Sequence, residues 1–311
     1  MSKVSVLIPA RNELFLRQTV EEVLGKAAGD VECIVMLDGA PAVEPLPDDK
    51  RLIVLENAVP MGNVYGVNRM AETATGDYIM KLDAHCMLAE GYDVALAADC
   101  AYEWLAVPSR YQLLTEPWSR GRGPTDYLYL TFPFAPEPQF GWGFHGKKWC
   151  GEVGINGGYY HRDKRDAQIP IDDAMTFQGS CWFMHRQRFM ELGGYDVYFY
   201  HFQEPQAIGM KVWLSENGRC VRNKKTWYAH LHKGKRWGRG YRLSKRRAIE
   251  DEAYSADFWM HDRWPSPPRA RSISWFVEHF WPIPGWPADW DNPDYEATYR
   301  RERLALERGE A

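Results

Sequence analysis

The stretch DYIMKLDAHCM (residues 77–87) decides the reading of this chain. Tyr78, Ile79, Met80 and Leu82 form a short apolar run of the kind found in a buried strand. The run stops where Asp83 and His85 stand one residue apart. In an extended segment residues i and i+2 point the same way, so both side chains can reach one ion at the edge of a sheet. Oxygen ligands suit Mg2+ and Mn2+, and an added imidazole shifts the balance toward a first-row transition metal, so Mn2+ is the expected ion.

The residues before this stretch repeat the pattern. KVSVLIPA (3–10), VECIVMLDGA (31–40) and RLIVLEN (51–57) read as three more strands. Leu16, Val20, Val23 and Leu24 fall at helical spacing, with Asn12 placed to cap the helix. Residues 63–74 read as a second helix, stopped before Gly76. Strands this apolar, alternating with helices, predict an α/β fold with a mostly parallel sheet covered on both faces. Ligands of such sheets bind outside the carboxyl ends of the strands. Pro9 to Glu13, Asp38 to Ala40 and Asp83 to His85 all fall at such ends.

Composition sets limits. The chain has 311 residues, enough for one large or two modest domains, with 45% hydrophobic and 26% charged residues as in ordinary soluble domains. Aromatics reach 14%, which fits sugar or base stacking but fits a plain core better. No apolar run is long enough to span a membrane, and VSVLIPA begins almost at once, without the pattern of a secretory leader. The six cysteines are scattered, with no C-x-x-C pair. These features predict a reduced, cytoplasmic protein. Residues 108–175 are rich in Pro, Gly and aromatics and read as an irregular insertion or lid; residues 264–311 read as a Trp- and Pro-rich extension ending in a helix, after a main domain over 1–263. GWGFHG (141–146) fits G-x-G-x-x-G, but it lacks the preceding strand and following helix of a dinucleotide site, which excludes that function.

VSVLIPARNE, CIVMLDGA, ATGDYIMKLDAH and GSCWFMHRQRFMELGGYD resemble the nucleotide-sugar glycosyltransferases of GT-A (Rossmann-like) fold, the broad family 2 glycosyltransferase-like group. Most members carry D-x-D at the strand end; the D-x-H here is similar to the polypeptide N-acetylgalactosaminyltransferases. The resemblance covers roughly residues 3–90 and 176–235. It implies transfer of a hexosyl or N-acetylhexosaminyl group from a nucleotide diphosphate donor, expected to be a UDP-sugar. It implies that Pro9, Ala10, Arg11 and Glu13 line the nucleotide and that Asp38 bonds uracil or ribose. It gives Asp83, His85 and His230 as metal ligands, with His232 as the alternative to His230, and it places Gly179, Ser180 and Trp182 near the donor sugar or acceptor. Glu204 matches the active-site Glu. The catalytic Asp that follows it in inverting members is replaced by Pro205, so a retaining reaction is expected unless Asp172 or Asp173 supplies a base. Val67 stands where many members have Arg, leaving Asn68 or Arg69 to take over that donor contact.

From Lys211 to Arg247 there are 13 Lys and Arg and one acid, a net charge of +12 in a chain of net charge −4. Lys233, Lys235 and Arg236 can clamp a diphosphate. The remaining charges, from Arg239 to Arg247, point to a polyanionic acceptor such as hydroxymethylated DNA, beside the default of a cytoplasmic glycan or lipid-linked precursor. Two rival functions differ in class. A nucleotidyltransferase usually opens with a Gly-rich phosphate loop, and IPARNELF has no glycine. A nucleic-acid-binding protein on a vestigial transferase fold would leave Asp83, His85 and Glu204 dispensable.

Overall fold

A computed structural model describes residues 2–136, 142–152, 159–196, 203–238 and 244–308. In chain order the elements are β1 (Val4–Ala10), α1 (Leu16–Lys26), β2 (Val31–Asp38), β3 (Leu52–Asn57), α2 (Asn63–Thr73), β4 (Tyr78–Leu82), β5 (Cys86–Leu88), α3 (Tyr92–Asp99), β6 (Trp104–Thr115) and β7 (Trp118–Arg120). Then come β8 (Leu128–Leu130), β9 (Gly146–Lys148), β10 (Cys150–Glu152), β11 (Tyr159–His161), α4 (Arg162–Arg165), β12 (Ile171–Asp173), β13 (Cys181–His185) and α5 (Arg186–Glu191). The last are α6 (Glu204–Leu214), β14 (Arg219–His230), α7 (Gly234–Trp237), α8 (Lys245–Met260), α9 (Ile273–Phe280) and α10 (Pro293–Arg308).

One sheet of the described residues carries the order β12-β14-β6-β13-β4-β1-β2-β3, with β5 on β14 and β7 on β6. β3, β2, β1 and β4 are parallel neighbours, β13 runs against β4 and β6, and β14 is parallel to β6. β14 therefore ends at the same sheet edge as β1, β2 and β4. β5 turns back to pair with that end, setting Cys86 opposite His230.

Strand alternation sorts the core into two layers. Leu7, Ile34, Met36 and Ile79 face one side, with Val67, Met70 and Ala71 of α2. Val6, Val35, Met80 and Leu82 face the other, with Val20 and Val23 of α1. Both faces are thus covered, as the continuous apolar strands required. α6 is buried along its whole length. Part of its cover comes from the C-terminal segment: Phe276, Val277 and Phe280 share one apolar cluster with Trp213. The extension from Trp264 is packed into the main core.

Two sequence expectations are corrected. Asn12 does not cap α1: it has a left-handed φ of 52°, and Phe15 occupies the cap position without a side-chain bond. Residues 108–115, expected to begin the irregular insertion, are the second part of the central strand β6. Gly141, the first residue of the G-x-G-x-x-G match, lies outside the described residues.

Candidate active site

The ends of β1, β2, β4 and β14 open into one cleft of about 930 Å³. Pro9, Ala10, Arg11, Glu13 and Asp38 lie along it. Asp38 accepts from the backbone N–H groups of Met61 (2.7 Å) and Gly62 (2.9 Å) and from Asn57 Nδ2 (2.8 Å), so it fixes the loop entering α2. Gly39 permits this: its φ is +72°, and a Cβ there would meet Pro60 at 2.6 Å.

At the cleft floor Asp83, His85 and His230 converge. His230 Nε2 is 3.1 Å from Asp83 Oδ2 and 3.1 Å from His85 Nε2, and His85 Nε2 is 3.9 Å from Asp83 Oδ2. Donors bound to one ion at about 2.1 Å stand roughly 3.0–3.4 Å apart in octahedral or tetrahedral geometry. Burial pushes His230 down to about 3, with Asp83 opposing and His85 assisting, so the ring is neutral near pH 7. Burial would raise Asp83, but Lys81 and the two imidazoles hold it well below its ordinary value. One atom from each of the three side chains thus converges on a common point. This donor set, one carboxylate and two imidazoles, fits a divalent ion.

The second ring nitrogen of His85 is also engaged. Its Nδ1 lies 3.2 Å from Glu13 Oε2, and Lys233 Nζ lies 2.5 Å from the same oxygen. Burial would raise Glu13, but His85 and Lys233 outweigh it and hold the carboxyl below its usual range. Glu13 therefore orients the His85 ring, a role beyond the expected nucleotide contact. His232 points elsewhere, with Nε2 2.7 Å from Arg110 Nη1. His230→Ala is expected to weaken Mn2+ binding at least about tenfold and His232→Ala to leave it within a few-fold, read by titration with Mn2+.

Glu204 begins α6 and lies in the same cleft, 4% exposed. Burial pushes its carboxyl up to about 7, Lys81 opposing and Asp83 adding. The side chain of Asn63, first residue of α2, donates to Glu204 Oε2. Gly179 allows the close approach, since a Cβ there would stand 3.2 Å from Glu204 Oε1. The two acids are driven apart, Asp83 ionised and Glu204 near neutrality, a pattern typical of reacting sites. Pro205 fits the first turn, where its missing N–H costs nothing.

Several expected residues are placed elsewhere. Asn68 clasps the backbone of Tyr195 through both ends of its amide, at 2.7 and 2.9 Å, and Arg69 is exposed beside Glu72, so neither lines the cleft. Arg236 pairs with Glu116 on the surface. Asp172 accepts from Tyr127 and Arg162, and Asp173 from Arg219; both stand away from the cleft. Trp182 is core, its Nε1 donating to Tyr195 Oη. Among the cleft residues not anticipated are Asn63 and Lys81. Asn63 carries no signal beyond a polar side chain at a helix start. Lys81 does carry one, a lysine inside an otherwise apolar strand.

Among the described residues the basic run is not one face. Arg219, Lys225, Lys233 and Arg236 pair with acids from distant segments, and Arg222 is buried against the carbonyls of Pro108 and Asp126. Residues 239–243, part of the expected polyanion surface, lie outside the described residues, as does the side chain of Lys235.

Residues 5–148 match the glycosyl transferase family 2 model. The fold is similar to GalNAc-T7 solved with UDP, GalNAc and Mn2+, with a TM-score of 0.60 and 15% identity over 90% of this chain. Over residues 5–148 the chain is thus similar to family 2 glycosyltransferases, and its fold is GT-A. A curated Drosophila melanogaster protein named as polypeptide N-acetylgalactosaminyltransferase 13 is 26% identical to it over 232 residues, 68% of this chain. The chain spans 39% of the length of that relative and 56% of the GalNAc-T7 chain. Among the described residues no helix is long and apolar enough to cross a membrane.

Proposed function

We propose that the chain is a metal-dependent glycosyltransferase that moves a sugar from a UDP-type donor to an acceptor hydroxyl. The observation that carries the reading is the convergence of Asp83, His85 and His230 on the floor of a cleft that also holds Glu204. Asp83 and the two imidazoles would hold Mn2+, which supplies charge neutralisation for the departing diphosphate. Lys233 stands beside this floor and can add a second positive charge once it leaves Glu13. Glu204, held by Asn63, would orient the donor sugar or the acceptor. Pro205 cannot take a proton, and Asp172 and Asp173 are committed elsewhere, which favours retention of configuration.

The pairing of Arg219, Arg222, Lys225, Lys233 and Arg236 within the fold leaves fewer charges for a polyanion, which supports a glycan or another uncharged hydroxyl acceptor over hydroxymethylated DNA. The test is release of nucleoside diphosphate from a panel of nucleotide sugars, with and without Mn2+. We expect release with a UDP-sugar that rises at least about tenfold with Mn2+. Release unaffected by chelation overturns the metal assignment. An inverted anomer by NMR overturns the retaining assignment. Tight duplex-DNA binding that weakens steeply with salt restores the polyanion acceptor.

A further inference from the structure

The interior of β4 is apolar apart from Lys81. Ile79 shares its face and packs in the main cluster, so local packing asks for another apolar side chain at 81. Lysine stands there instead, 1% exposed. Removing an ammonium from water costs several kcal/mol before any pairing, and a buried pair is a poor way to gain stability. The location of this one is specific. Its Nζ donates to Asp83 Oδ1 and to the carbonyl of Gly179. The other oxygen of Asp83 is the one that faces His230 Nε2, at 3.1 Å. The Asp83 backbone is pinned from the same side, its N–H donating to the Ser180 carbonyl at 2.8 Å. The carbonyls of residues 179 and 180 thus hold the Lys81 ammonium and the Asp83 backbone, and Gly179 also borders Glu204.

We propose that Lys81 is the positioning residue of the ion site, engaging one oxygen of Asp83 so that the other is presented to the metal, and tying the ligand loop to the segment beside Glu204. This inference rests on the proposed function and deepens it. A second consequence of the same charge has the opposite sign. A cation this close to a divalent ion repels it. If Lys81 were only a nearby charge, its removal would tighten metal binding. As a positioning residue, its removal frees the Asp83 carboxylate to rotate and weakens binding.

The experiment is titration of the full chain with Mn2+ in the presence of UDP, following free Mn2+ by electron paramagnetic resonance. Wild type is compared with Lys81→Met, which keeps length and removes charge, and Lys81→Arg, which keeps charge and changes shape. Each is read on the folded fraction, scored by its melting transition. Both variants are expected to bind Mn2+ about 10- to 100-fold more weakly than wild type, the range for residues that orient metal ligands. Unchanged or tighter binding in either folded variant overturns the inference. Failure of wild type itself to bind Mn2+ overturns the underlying reading instead, so the two failures are distinguishable.

Discussion

Asp83→Asn is expected to lower Mn2+-stimulated release of nucleoside diphosphate by about 10²–10³-fold or more in kcat/KM, the loss typical of removing one preorganised group that stabilises developing charge. The asparagine variant is more informative than alanine. Lys81 is fully buried against Asp83, and alanine would leave that ammonium without a partner, at a cost of about 3–5 kcal/mol. Asparagine still offers Lys81 an acceptor oxygen while removing the negative charge that the ion requires. A melting curve close to wild type, together with lost Mn2+ stimulation, assigns the effect to the site and not to the fold. Undiminished Mn2+-stimulated release by Asp83→Asn would remove the metal from the mechanism. A vestigial fold acting only as a nucleic-acid binder makes that second outcome its own prediction, so the same measurement separates the two classes of function.

The amino-terminal half of the fold was legible because its signals are local. β1, β2, β3 and β4 are apolar runs ended by Pro9, Asp38, Asn57 and Asp83, and their alternation was visible without any tertiary information. The cleft followed from the rule that parallel strands present ligands at their carboxyl ends. β6 and β14 were harder. Pro108 sits within β6 and gave a loop signal, and it is tolerated because the β14–β6 ladder is irregular just beyond Asn223. β14 carries Arg222, Lys224 and Lys225, part of the basic run; their acceptors, Pro108, Asp166 and Asp99, are at least 58 residues away in sequence. Charge runs disclose composition, while pairing is decided by topology. The same limit hid Lys81: a lysine among apolar residues shows that something is unusual, but only the approach of Gly179 shows what it holds. Asn68 and Arg69 failed for a related reason. Helical phase turns them away from the cleft and brings Asn63 to it.

Glu204 gives the second large effect, and its sign is unusual for an acid. Burial raises its carboxyl from 4.5 to about 7, so the folded chain holds this proton more tightly than the unfolded chain does. Stability from the group is therefore complete below about pH 4.5, declines as pH rises from about 5 to 7, and is gone above that range. The full excursion is on the order of 3 kcal/mol. Asp251 and Glu252 are also raised by burial, to about 6 and about 7, and contribute slopes of the same sign. His230, lowered to about 3, contributes the opposite slope at lower pH, its stability returning as pH rises toward 6.5. Subtracting the variant Glu204→Gln isolates the group, because glutamine keeps the shape and an acceptor for Asn63 without ionising. In metal-free, donor-free protein, Glu204→Gln is expected to be more stable than wild type by about 2–3 kcal/mol at pH 8, with most of the difference gone near pH 4.5. Urea unfolding at several pH values measures it. A difference that does not change with pH would mean that Glu204 ionises as an ordinary solvated acid. The same variant is expected to lose transfer activity while Mn2+ binding persists, since Glu204 stands beside the ion site without being one of its ligands. Stability gained together with activity lost is the mark of a carboxylate kept buried for chemistry and not for packing.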